Sequence, residues 1–176
     1  MGGKRLELLK DILPRLSRVV VLTDPGTGGH GPQMKELEMA APALGLQVKA
    51  VEVRASTALE GAFSAMNGAR ADAFIGLQQP TLERIVDLAA KNRLPGMYPN
   101  DEYVESGGLM SYAADIVAMF RGTASYVNKI LKGAKPADLA VEQPKKFELV
   151  INLKAAKQIG LTIPPNVVAR ADRVIQ

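Results

Sequence analysis

The chain has 176 residues, 47% hydrophobic and 23% charged, which suffices for one folded domain with a real core and excludes an intrinsically disordered protein. Cysteine is absent, so disulfide frameworks, zinc ribbons and thiol nucleophiles are excluded. A net charge of +4 is spread along the sequence, aromatics make up 5%, and no nucleic-acid motif occurs, so no nucleic-acid partner is expected.

The opening "MGGKRLELLKDILPRL" is amphipathic with charges throughout, unlike a signal peptide, and the apolar runs are strand-sized. Read at face value, with Met1 as the true start, the chain would be cytoplasmic. "RVVVLTD" (18–24) suits a strand buried on both faces. "PQMKELEMAAPALG" (32–45) follows at helical spacing, with Pro32 in the first turn, Pro42 disturbing the last, and Gly45 at the stop. "LQVKAVEV" (46–53) is the second strand, and Thr57 with Glu60 has the spacing of a capping box opening a helix that closes at Gly68.

"ADAFIGL" (71–77) reads as a third strand, and Pro80 starts a helix reaching to near Asn92. "LPGMYP" (94–99) is a fourth strand, a helical turn covers 101–105, and "GGLMSYA" (107–113) is a fifth. Strand–helix alternation demands crossovers, so the expected fold is α/β: a doubly wound parallel sheet in the order 2-1-3-4-5, in three αβα layers. Ligands of such sheets meet the carboxyl ends of the strands.

Residues 1–113 thus read as one α/β lobe and 114–176 as an added helix–strand–helix segment. Asp115 caps a longer helix with Ile116, Met119, Phe120, Val127, Ile130 and Leu131 on one face and Gly133 at the stop. A polar stretch leads to the strand "FELVINL" (147–153), then to a short helix ending at Gly160.

The loop "GTGGHG" (26–31) has the spacing of the dinucleotide fingerprint, and Gly26 and Gly31 also match the first two glycines of an NTPase loop. Two details weaken the dinucleotide reading. Asp24 and Pro25 delay the turn, and Pro32 suggests a helix beginning only after the third glycine. Pro32-Gln33 occupies the place of the phosphate-gripping Lys and the magnesium-holding hydroxyl, so the NTPase reading fails. A Gly-rich connection is the favoured reading, with a flavin- or nucleotide-binding loop as the alternative.

His30, the one histidine, has no carboxylate placed by sequence to orient it and reads as a surface residue. Neither a catalytic constellation nor a metal-ligand cluster is expected. Just past the strand ends stand Thr23 and Asp24, Gln78 and Gln79, Tyr98 and Asn100, and Ser111 and Tyr112. In a doubly wound sheet these converge along one edge as a polar rim with two aromatic rings. Such a rim fits a binding site better than a reaction centre.

Several segments together resemble one family along nearly the whole chain: "GKRLELLKDILPRLSRVVVLTDP", "GARADAFIGL", "YVESGGLMSY", "KILKGAKPADLAVEQPKKFELVINLKAAKQIGL" and "ARADRVI". The chain resembles the ABC-transporter substrate-binding proteins that include the tryptophan-binding type. The resemblance implies a two-lobed, periplasmic-binding-protein-like fold that traps a small solute by hinge closure and hands it to a permease, without enzymatic activity. It implies an exported, periplasmic location, and it aligns this chain with the second lobe and the segment that crosses back over the hinge. A signal peptide and nearly all of the first lobe would then be missing here.

On this reading the solute is an amino acid or similarly small molecule, no cofactor is needed, and Thr23, Asp24, Gln78, Gln79, Tyr98, Asn100 and Tyr112 line half of the cleft. Asp24 would hold an amino group, the Gln pair a carboxylate, and a tyrosine ring would stack. The long helix and the "FELVINL" strand would expose an apolar face and a strand edge, which predicts a homodimer formed through the C-terminal segment. A dimeric interaction module without ligand is the further alternative.

Overall fold

The first strand, β1 (Arg18–Thr23), sends Val19 and Val21 into one hydrophobic layer and Val20 and Leu22 into another. Successive strand residues point to opposite faces, so a run of β-branched residues is buried whole only when both faces are covered. The computed structural model describes residues 1–26, 29–77 and 82–176. Helix α1 (Gly2–Ile12) precedes β1, and α2 (His30–Ala40), β2 (Gln47–Glu52), α3 (Leu59–Gly68), β3 (Ala73–Gly76), α4 (Leu82–Lys91) and β4 (Gly96–Tyr98) follow. The chain continues through α5 (Glu102–Glu105), β5 (Met110–Ala114), α6 (Ile116–Leu131), β6 (Phe147–Asn152), α7 (Leu153–Gln158), α8 (Pro165–Val168) and β7 (Arg173–Ile175).

Among the described residues the strands form one sheet in the order β2-β1-β3-β4-β5-β6-β7. The predicted order 2-1-3-4-5 is present within it, parallel throughout; β6 then joins β5 antiparallel and β7 joins β6 parallel. One face is covered by α1, α2, α7 and α8, through Leu6, Leu9, Leu37, Ala156 and Val167. The other is covered by α3, α4 and α5, through Phe63, Met66, Ile85 and Tyr103.

Three local expectations need correction. Helix α2 begins at His30, so Gly31 lies inside it and Pro32 is its third residue. Proline is tolerated there because a first-turn N–H has no intrahelical acceptor. Thr57 does not cap α3: Ser56–Ala58 form a 3-10 turn, and the helix opens at Leu59 without a side-chain cap. The "FELVINL" strand leaves no free edge, because β6 is paired on both sides and Leu149, Val150, Ile151 and Asn152 are buried. That protection comes from β7, which sequence reading left unassigned.

The cap at Asp115 is as expected, its Oδ1 accepting the Ala118 N–H at 2.9 Å. So is the exposed face of α6: none of its residues is buried, and Phe120 and Leu131 are 72% and 82% exposed.

Candidate binding site at the carboxyl edge

The register fixes which residues share the sheet's carboxyl edge. Val21, Ile75, Met97, Met110 and Ile151 form one row across β1, β3, β4, β5 and β6. Two residues further along lie Thr23, Leu77, Pro99 and Tyr112, and the segments after them turn away from the sheet. These strand ends line up along one edge of the sheet. Gln78 and Gln79 lie outside the described residues, as do Thr27 and Gly28 of the glycine loop.

At β1 the rim is held by short-range bonds. Thr23 is fully buried, and its Oγ1 lies 2.6 Å from Nδ1 of His30. His30 is thus more than a surface residue: it ties the start of α2 to the end of β1. Asp24 is half-buried and accepts the Gly26 N–H through Oδ1 at 2.8 Å, a turn typical of aspartate at a loop start. The loop therefore begins with a carboxylate, and one of its N–H groups is already engaged by it. That arrangement is poor for a phosphate, which the loop would meet with like charge.

At β4 one expectation changes. Tyr98 is not on the rim; it is 1% exposed, in the layer under α3, α4 and α5. Its ring stacks on Tyr103 at 5.3 Å and meets the edge of Phe74 at 5.5 Å. Burial, with Tyr103 beside it, pushes its phenol well above the usual tyrosine range. Strand parity explains this: Met97 faces the α1 layer, so Tyr98 faces the other, and α5 closes over it.

Tyr112 is half-buried at the edge, its ring stacked on Phe147 of β6 at 5.7 Å. Beneath it lies a residue that sequence reading passed over. Arg5, in α1, is 3% exposed; its Nε donates to the Tyr112 carbonyl at 3.0 Å and its Nη2 to the Pro99 carbonyl at 3.3 Å. Burial lowers its pKa to about 10, partly opposed by Glu36, so it remains a cation at neutral pH. An arginine within an amphipathic helix carries no local sign that it faces inward.

Asn100 and Ser111 bound a pocket of about 270 Å³ on the α5 side of the edge, together with Asp101, Glu102, Asp115 and Glu148. Ser111 is 1% exposed, and among the described residues neither its Oγ nor the buried Oδ1 of Asn100 has a hydrogen-bond partner. Asp115 stays ionised below the usual aspartate range through the Ala118 N–H and Lys146. Lys146 bridges Asp115 and Glu148 at 2.9 Å each from outside the pocket. Among the described residues no group of three or more His, Cys, Asp or Glu side chains could hold a metal ion. Nor is any described helix long and apolar enough to cross a membrane.

Comparison with known proteins gives a consistent result. The model of the family described as ABC transporter substrate binding protein matches residues 2–175. A conserved domain protein from Vibrio cholerae O1 biovar El Tor is 30% identical with a TM-score of 0.89, over 98% of this chain and 60% of its own. An ABC domain from Streptococcus pneumonia, solved in complex with L-Trp, is 27% identical with a TM-score of 0.89, over 99% of this chain and 60% of its own. A substrate binding protein with adhesive properties from Clostridium difficile, in its ligand-free open structure, shares the fold: 20% identity, TM-score 0.75, over 98% and 59%. The chain therefore spans about 60% of the length of the first two solved proteins. The search of curated proteins gives no match.

Proposed function

Since the chain belongs to the ABC transporter substrate-binding protein family, we propose that it is the solute-binding part of an ABC import system. It takes a small molecule such as an amino acid at the carboxyl edge of its sheet, and it works with permease subunits outside the cytoplasm. The observation that carries this reading is the family match over residues 2–175, joined to a 27% identical neighbour that holds L-Trp.

The edge is suited to holding a polar, zwitterionic solute. Asp24 supplies a carboxylate, Asn100 and the Gln78–Gln79 pair supply amides, and the Tyr112 ring offers an aromatic surface. Binding rather than catalysis is the role proposed for them. The other half of the cleft would come from a facing lobe, as in a hinge-closing two-lobed protein. The apolar face of α6 is proposed as a contact surface, and a second copy of this chain is the expected occupant in isolation.

Isothermal calorimetry of the chain against the common L-amino acids, beginning with L-tryptophan, tests the reading. Saturable heat with at least one is expected, weakened about tenfold by Asp24→Ala or Tyr112→Ala, as for the loss of one contact of about 1.4 kcal/mol. No saturable binding to any of them would overturn the proposal.

A further inference from the structure

We propose that Arg5 is a positioning residue for the solute: it takes over the pairing of β4 and β5 where their ladder stops, and so fixes where Tyr112 and Asn100 stand at the binding edge. The proposal rests on the solute-binding reading and adds to it the residue that sets the geometry of the site from beneath.

The bonding of the sheet shows what Arg5 replaces. The parallel pairing of β4 with β5 ends at Tyr98 and Ser111. Tyr112 comes next on β5, and its carbonyl points away from β6. The bonded pairs of the antiparallel β5–β6 ladder fall on alternate residues. They include Leu109, which accepts the Asn152 N–H at 2.9 Å, and Asp115, which donates to the Lys146 carbonyl at 3.1 Å. Tyr112 lies between such pairs, so its carbonyl faces β4. One more step of the parallel ladder would bring it the Asn100 N–H. The chain bends off the sheet at 99–101 instead, and Arg5 Nε meets that carbonyl at 3.0 Å. Its Nη2 donates to the Pro99 carbonyl at 3.3 Å, so one guanidinium spans both strand ends.

The consequence falls on the site. Asn100 leaves the sheet for the rim, its Nδ2 lying 3.5 Å from Oε2 of Glu102. Tyr112 is held by its backbone from below, and by Phe147 against its ring at 5.7 Å. The relative placing of these two groups, on neighbouring strands, passes through Arg5.

Stability alone is a poor account of this residue. Arg5 is 3% exposed, and both its acceptors among the described residues are neutral carbonyls. Glu36 acts on it only from a distance, being engaged by the Met1 ammonium and the Gly2 N–H. A cation buried without a close carboxylate serves stability less well than an apolar side chain of similar size. What a guanidinium offers is a rigid planar fork, which fixes the distance between two acceptors. Groups that must act together on one solute need such support beneath them.

The test uses Arg5→Met, which keeps most of the stem and removes the fork. Urea unfolding first establishes that the variant is folded. Calorimetry then uses the L-amino acid that the parent chain binds most tightly, L-tryptophan being tried first. Affinity is expected to fall about tenfold in the variant, as for loss of support to two binding groups. The second measurement needs no substitution. NMR follows solvent exchange of the Arg5 Nε–H in the parent, with and without a saturating amount of that amino acid. Coupling between sites is reciprocal, so a solute that relies on the fork must tighten it, and exchange should slow several-fold. A purely structural clamp would leave that exchange unmoved.

A folded Arg5→Met variant that binds within about twofold of the parent overturns the positioning role and leaves solute binding standing. Exchange that ignores the bound amino acid does the same, and it decides alone if the variant fails to fold. A parent chain that binds none of the amino acids overturns the solute-binding reading itself, and this role with it.

Discussion

The guanidinium of Arg5 and the carbonyl of Tyr112 are 107 residues apart in sequence and joined by a 3.0 Å hydrogen bond. With its second bond to the Pro99 carbonyl, Arg5 fastens α1 to the ends of β4 and β5, where the candidate site lies. Arg5→Ala would strip two carbonyls of a donor and leave a cavity, at an expected cost of about 2–4 kcal/mol in urea unfolding. Arg5→Met keeps most of the stem volume and should cost less. A change below about 0.5 kcal/mol for the alanine variant would show that the clamp is dispensable.

Tyr98 is expected to behave as a core residue. Tyr98→Ala removes a ring packed between Phe74 and Tyr103 and should cost about 3–5 kcal/mol. Tyr98→Phe keeps those contacts and should leave amino-acid binding unaltered, read by the same calorimetry.

The same residue gives a pH dependence with a definite sign. The folded state holds the Tyr98 proton more tightly than the unfolded chain, whose ordinary value is 10.0. The contribution of Tyr98 to stability is therefore full below pH 10 and is lost as pH rises beyond it. Thermal melts across that range should show the loss, and Tyr98→Phe should reduce it. An equal alkaline loss in both proteins would rule Tyr98 out as its source.

Gly108 marks a place where only glycine fits. An added Cβ would stand 2.6 Å from both the Tyr103 carbonyl oxygen and the Tyr98 ring. Neither neighbour is the free end of a flexible chain, so Gly108→Ala should destabilise by about 1–3 kcal/mol, measured by denaturant titration. Gly61→Ala is the control, since a Cβ there meets nothing within 4 Å.

The exposed side of α6 should drive association. Burying one large apolar side chain is worth about 1.5–3 kcal/mol, so shielding Phe120 and Leu131 together favours a dimer. Light scattering of the chain at rising concentration should reveal it. Phe120→Ser with Leu131→Ser should hold the chain monomeric, and a monomer in the parent protein at high concentration would remove the prediction.

Much of this protein was written in local patterns. Period-two and period-3.6 runs identified β1 to β5 and α6, and the alternation implied crossovers, hence the order β2-β1-β3-β4-β5. Asp115 announced its cap, and Gly133 and Gly160 their helix ends, with φ of +97° and +77°. These features depend on residues within a turn or two of one another, so the sequence by itself determined them. The tertiary structure decided what depends on distant neighbours. It turned Tyr98 under α5 and away from the edge, and it drew Arg5 inward to two strand ends. It gave β6 a partner in β7, and it enclosed the Ser111 hydroxyl and the Asn100 amide oxygen at the ends of β5 and β4. Whether a polar or aromatic side chain at a strand end is a rim or a core residue depends on which helix covers it. No spacing along the chain encodes that.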